Sequence, residues 1–186
     1  LLSDKIETDL LLRFSNTTQI KDAIKNNQIQ LFEIKKLRAN KEYLVSLRKK
    51  FPKLYLQAIS SKFILDKEHA KKIITISITQ KSNDQLLSDK IETDLLLRFS
   101  NTTQIKDAIK NVGLSESENF ILISIGAKFH LTKLNETISD DLDVIFTKNH
   151  SNFIKKYFKI SNQTLNSIES KTPLVDLLVE KASTLI

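Results

Sequence analysis

Alternating apolar and polar positions mark residues 29–34 (IQLFEI) and 54–59 (LYLQAI) as strands, since neighbouring side chains on a pleat point to opposite faces. Between them Asn40 can cap a helix carrying Leu44, Val45 and Leu47, which Pro52 closes. Asp66 can cap a second helix over residues 67–80, where Ala70, Ile73 and Ile74 recur at helical spacing. The β-branched run at 73–79 (IITISIT) pulls the same stretch towards a strand; the helix is retained. After a polar loop at 82–90, residues 92–100 (ETDLLLRFS) hold three consecutive leucines and read as a central strand. Asn101 or Thr102 then caps a short helix with Ile105, Ala108 and Ile109 on one face and Gly113 just past its end. Residues 119–125 (NFILISI) read as a buried strand, 131–137 as a brief helix and 142–146 (LDVIF) as a strand. Phe153, Ile154, Tyr157 and Phe158 form a helical stripe. Thr172-Pro173 opens a last helix with Leu174, Leu177, Leu178, Ala182 and Leu185 on one side. Strands alternating with helices predict an α/β (α+β) domain, one mixed β-sheet flanked by helices.

Residues 1–26 (LLSDKIETDLLLRFSNTTQIKDAIKN) repeat residues 86–111 without a substitution, and the identity stops at Asn27 against Val112. Solenoid repeats drift and come in threes or more. Two identical copies are therefore read as a duplicated segment appended to one domain over residues 27–186. Read as one strand and one helix, the unit cannot bury its apolar face alone. Both copies favour one slot, and copy 86–111, continuous with the fold on both sides, is expected to hold it. The first copy then has another sheet edge, a neighbouring molecule or disorder open to it, and a domain-swapped homodimer through residues 1–26 is one of the expected outcomes.

Charge is concentrated. Of a net +7, residues 27–81 carry thirteen basic and four acidic side chains, a local +9. Such a segment attracts polyanions, or else forms a lysine-rich solvated surface. There is no cysteine, which removes disulfides, thiol nucleophiles and thiolate metal sites. No apolar run approaches the ~20 residues of a membrane helix, and Leu1-Leu2-Ser3-Asp4-Lys5 lacks a signal-peptide pattern. The expectation is an intracellular protein, cytoplasmic or, in a eukaryote, also nuclear.

Enzyme templates fail. Two glycines cannot build a phosphate-binding glycine loop, and no G-x-S-x-G elbow is present. His69, His130 and His150 stand singly, without metal-ligand spacing. Asp140-Asp141-x-Asp143 lacks the glycine and closing glutamate of a calcium loop. No catalytic residue, metal or cofactor is expected. What remains is the stretch 95–105, read as strand, turn and helix, which sets Arg98, Ser100, Asn101, Thr102 and Gln104 at a helix N-terminus. Free backbone N–H groups there suit a phosphate, although Ser100, Asn101 and Thr102 are equally good caps. Arg98 interrupts an apolar run and needs a partner or a route to solvent.

The pattern Glu92-x-x-Leu95-Leu96-Leu97-Arg98-x-Ser100-x-x-x-Gln104-Ile105-x-x-Ala108-Ile109-x-x-x-Gly113 resembles the TPRKB-like kinase-binding small subunit of the KEOPS complex. The resemblance runs from about residue 28 to the C-terminus and is loosest at 160–171. The family pattern contains the repeated unit once, at 86–111, which supports reading residues 1–26 as an addition. The resemblance implies a non-catalytic subunit that binds the small lobe of an atypical kinase. The complex installs threonylcarbamoyl on an adenosine beside the anticodon of tRNA, and the subunit is implicated in holding the single-stranded 3′ CCA end. Carried over, Arg98, Ser100, Gln104 and Ile105 contact that end, with Ile105 and Ile109 as a stacking platform. Lys71, Lys72, Lys81 and Lys90 supply phosphate contacts, or plain surface charge. The kinase meets the last helix around Leu174, Leu177 and Leu178, which are otherwise core residues. The competing reading is a purely structural interaction subunit that does not touch tRNA.

Overall fold

The central strand decides the architecture. β3 (Phe120–Gly126, FILISIG) is buried along its whole length, so the sheet has to be covered on both faces. The computed structural model describes residues 28–38, 40–115 and 118–185. In it β3 lies between β1 (Gln28–Ile34) and β2 (Tyr55–Ser60), and a two-residue β4 (Leu142–Asp143) pairs with the far edge of β1. The order β2-β3-β1-β4 is antiparallel at every described ladder, with Leu122 opposite Phe32 on one side and Ala58 on the other.

The α+β class and the flanking helices hold; the mixed pairing predicted from the sequence is corrected to antiparallel. β1 and β2 do run in the same direction, joined by a helical crossover. β3 inserts between them and runs opposite to both, so the two parallel strands never pair.

Side-chain alternation along β3 sorts the helices. Phe120 and Leu122 face a layer made by α1 (Lys41–Lys50) and α5 (Lys128–Ile138), packed through Leu44, Leu47, Leu131 and Leu134. Ile121, Ile123 and Ile125 face α2 (Lys67–Ser82), α3 (Ile91–Ser100) and α4 (Ile105–Val112), and the same cluster takes in Ala182 of α8 (Pro173–Ser183). A smaller cluster of Ile154, Ile160, Leu165 and Leu178 fixes α6 (Ser151–Tyr157) and α7 (Asn162–Asn166) to α8. The predicted caps form: Asn40 accepts from Tyr43 N at 2.7 Å and Asp66 from His69 N at 2.8 Å. The Asp66 cap and burial of Ile73, Ile74, Ile76 and Ile78 hold the β-branched run of α2 in a helix.

The largest departure is residues 92–100, which form all but the first residue of α3 rather than a strand. Ile91, Leu95, Leu96, Leu97 and Phe99 are all buried, so apolar residues cover most of the helix circumference. A short all-apolar run is the same signal for a buried strand and a buried helix. Asn101, in the left-handed conformation at φ 51° and ψ 48°, ends α3. The unit 86–111 is thus a helical hairpin, not a strand and a helix. The strand predicted at 142–146 shrinks to β4, since Val144 is exposed and Phe146 turns the chain at φ 59°. Gly113 follows α4 as predicted but with φ −70°; a Cβ there would run into the carbonyl oxygen of Ile109, and that close approach is what requires glycine. The expectations for residues 1–26 lie outside the described residues.

Candidate surfaces for a nucleic-acid end and a protein partner

The corner between α3 and α4 is built from the residues that carry the sequence motif, and it divides them. Arg98 points inward. Its Nε and Nη2 donate to the Asp94 carboxylate at 2.8 and 3.3 Å, and its Nη1 donates to the Ala182 carbonyl at 2.6 Å. The side chains of Arg98 and Asp94 are 1% and 0% exposed. The expectation of an open cation at this corner is therefore corrected: Arg98 needed a partner and found one a helical turn away. Ser100 is also buried, its hydroxyl donating to the carbonyls of Leu96 and Leu97 at 2.7 and 3.0 Å. Both side chains support the corner from behind.

Other motif residues face outward. Gln104 occupies the N-cap of α4 without a side-chain capping bond and is exposed. Its backbone N–H is taken by Thr102 Oγ1 at 3.2 Å. Ile105 and Ile109, one turn apart, are 45% and 49% exposed, while Ala108 and Val112 on the neighbouring stripe are buried. α4 therefore keeps half its apolar surface in water. Tyr157 of α6 lies near Asn111 of this helix, and burial pushes its phenol above the usual range.

Two of the four predicted lysines are committed to partners and two are open. Lys71 and Lys90 are exposed. Lys72 is engaged, 3.0 Å from Asp176 and 3.2 Å from Glu68. Lys81 lies over the Tyr55 ring at 3.6 Å.

On α8, Leu178 is 5% exposed and belongs to the core, which corrects its assignment to an exposed interface. Leu174 and Leu177 are half-buried at the rim of the same cluster. The helix start is pinned: Pro173 stands at its first turn, and Asp176 accepts from Ser170, Thr172 and Lys72. Partial burial pushes the Asp176 carboxyl up, but those bonds outweigh it and hold the group below its ordinary value. The same residues, with Glu68 and Glu169, line a shallow polar depression of about 500 Å³.

Among the described residues no three His, Asp or Glu side chains gather to hold a metal, and no helix is long and apolar enough to cross a membrane. His69 is sealed against Phe99, its Nδ1 accepting from Leu65 N at 3.2 Å, and burial lowers its pKa to about 4. The sequence reading missed the buried partners Asp94 and Ala182. The i, i+4 spacing of Asp94 and Arg98 was a visible signal for the first, once the segment is taken as a helix; nothing local pointed to Ala182.

An exposed apolar pair on α4 and a partly buried pair at the rim of α8 are mounted on a sheet covered on both faces. Comparison with known proteins gives the family. Residues 33–184 match the family described as kinase binding protein CGI-121, and the chain belongs to it. The match agrees with the TPRKB-type resemblance carried by the 92–113 motif, and the family description makes kinase binding its defining property. No curated protein matches the chain.

Proposed function

We propose that this protein is the non-catalytic, kinase-binding subunit of a KEOPS-type assembly. In that role it supports the kinase and helps hold the 3′ CCA end of tRNA for threonylcarbamoyladenosine formation next to the anticodon. The observation that carries the RNA half is the α4 corner. Ile105 and Ile109 stand in water beside the uncommitted amide of Gln104, and apolar side chains with a nearby amide suit an unstacked nucleotide. The kinase half rests on the family, with Leu174 and Leu177 of α8 as the docking face.

A gel shift at low salt with intact tRNA and with tRNA lacking its CCA end tests the first half. Binding should weaken when the end is removed and when Ile105→Asp and Ile109→Asp are introduced together. Equal binding of both tRNAs would favour the second reading, a structural subunit that leaves tRNA to its partners. That reading draws support from the withdrawal of Arg98 and Ser100 into the interior. Leu174→Ala with Leu177→Ala should weaken co-purification with the kinase while the variant stays folded by circular dichroism, with some loss of melting temperature because both leucines pack against the core rim. Full retention would move the docking face elsewhere.

The proposal includes a homodimer. Residues 1–26 repeat a segment that fills the core as α3 and α4, so the first copy of one chain can enter that slot in another. Light scattering on the full chain should give twice the monomer mass; a monomer at all concentrations would end this part of the proposal.

A further inference from the structure

The antiparallel register collects three chain ends at one end of the sheet: Gln28 of β1 faces Gly126, and Tyr55 of β2 faces Ile125. α1 runs into this end and α5 starts from it. A Cβ at Gly126 would lie 3.3 Å from the Lys53 carbonyl and 2.5 Å from Leu54 Cδ2, so the loop entering β2 rests against the chain leaving β3. Lys49, Lys50, Lys53 and Lys128 are exposed on these adjoining segments.

At the opposite end of the sheet several cations are held by carboxylates or a carbonyl, while Lys36 and Lys41 are exposed there without a carboxylate partner among the described residues. There Arg38 pairs with Asp141 at 2.8 Å, Lys62 with Glu118 at 3.0 Å, and Lys35 Nζ donates to the Asp140 carbonyl at 3.1 Å. At the lysine end no carboxylate pairs with any of the four among the described residues. Local stability accounts for part of this: Lys49 and Lys50 sit in the last turn of α1, where cations complement the helix dipole. It does not account for Lys128, the first residue of α5, where a cation opposes the dipole, nor for Lys53 in a loop. Beside Lys128, Phe129 is 63% exposed, with Lys133 Nζ 4.3 Å from its ring centre.

Exposed cations without carboxylate partners, on segments that adjoin a helix carrying an exposed aromatic ring, are complementary to a phosphodiester chain with accessible bases. We propose that this end of the sheet is a second RNA-backbone contact, on the α1/α5 side and distinct from the α4 corner, which packs on the other face. It rests on the reading that RNA is the ligand, but not on recognition of the CCA end.

The test is fluorescence anisotropy of full-chain protein with labelled tRNA, with and without its CCA end, between 50 and 200 mM salt. Each phosphate contact contributes about −0.7 to −0.9 to the slope of log affinity against log salt. Lys49→Gln, Lys50→Gln, Lys53→Gln and Lys128→Gln combined should flatten the slope by about 3 for both RNAs. The corresponding four Lys→Arg changes should keep it, and matching melting temperatures establish that all variants are folded. Ile105→Asp should alter the preference for the CCA end and leave the slope in place. An unchanged slope in the quadruple glutamine variant overturns the proposal, even where the CCA preference is intact. Salt-dependent binding without CCA preference, flattened by the glutamines, upholds it while the α4 reading fails. No binding to either RNA at 50 mM overturns both.

Discussion

Replacing Arg98 by alanine removes the only cation against the fully buried Asp94 among the described residues and the donor to the Ala182 carbonyl. Asp94 would keep a single hydrogen bond, from Leu87 N at 2.9 Å. Deleting one partner of a buried ion pair strands the other charge and costs about 3–5 kcal/mol. The orphaned carbonyl adds part of another ~1–3 kcal/mol. Against a total stability of about 5–15 kcal/mol for a domain, Arg98→Ala should be severe. Arg98→Lys should fall between, since an ammonium cannot span the carboxylate and the carbonyl as a planar fork does. The double variant Asp94→Leu with Arg98→Leu removes both charges and should recover at least ~2 kcal/mol relative to Arg98→Ala, because well-packed apolar pairs replace buried ion pairs at little cost. Urea unfolding followed by far-ultraviolet circular dichroism measures all three. An Arg98→Ala protein within about 0.5 kcal/mol of wild type, or charge removals that add without coupling, would refute this account of the pair. The consequence for RNA work is direct: lost tRNA binding in an Arg98 variant reports on α3 and α8 before it reports on any contact with RNA.

Three further outcomes follow from single positions. Burial holds His69 at about 4, below the ordinary 6.5, so the unfolded chain binds the extra proton first. Stability should be full above pH 6.5 and fall as the pH drops towards 4, by up to ~3 kcal/mol; His69→Phe should flatten that slope in chemical denaturation at pH 4.5 and 7. Gly113→Ala drives a methyl group against the Ile109 carbonyl and should cost about 1–3 kcal/mol by thermal melting, a neutral result refuting the close approach. Asn101 holds φ 51°, so Asn101→Gly should be neutral or mildly stabilising while Asn101→Val loses about 1–2 kcal/mol, read on the same melting curves.

What the sequence made legible follows from how local each signal is. The caps at Asn40 and Asp66 are satisfied within three residues, and both helices formed where they point. The apolar run at 119–125 holds as a strand because both faces of β3 are buried against different layers. The run at 92–100 misled because burial on nearly all sides erases the helical rhythm. The misreading then turned Arg98 outward, since in a strand Asp94 would lie four residues away along an extended chain instead of one turn below. The Ala182 carbonyl closing that site lies 84 residues further on, beyond any local pattern. Of the corner, Gln104 and Ile105 entered through the resemblance, and spacing put Ile105 and Ile109 on one face with Ala108; that the isoleucines are exposed while Ala108 is buried is decided by the packing of α4. The division of Leu174 and Leu177 from Leu178 was not readable, because it depends on how α8 seats against distant elements, α2 and α3 as well as α6 and α7.

The insertion of β3 between β1 and β2 sets the order of events as the chain is made. Gln28 waits for Gly126, 98 residues later, before its ladder can close. At about 5–20 residues per second that is roughly 5–20 s on the ribosome. Until then β1, and β2 once it is made, are without the one neighbour they share, and their backbone groups are open to other strands. Contacts this distant along the chain also slow spontaneous refolding. Yield in a fast-translating host should therefore hang on whatever shelters nascent β1 and β2 until the middle strand arrives.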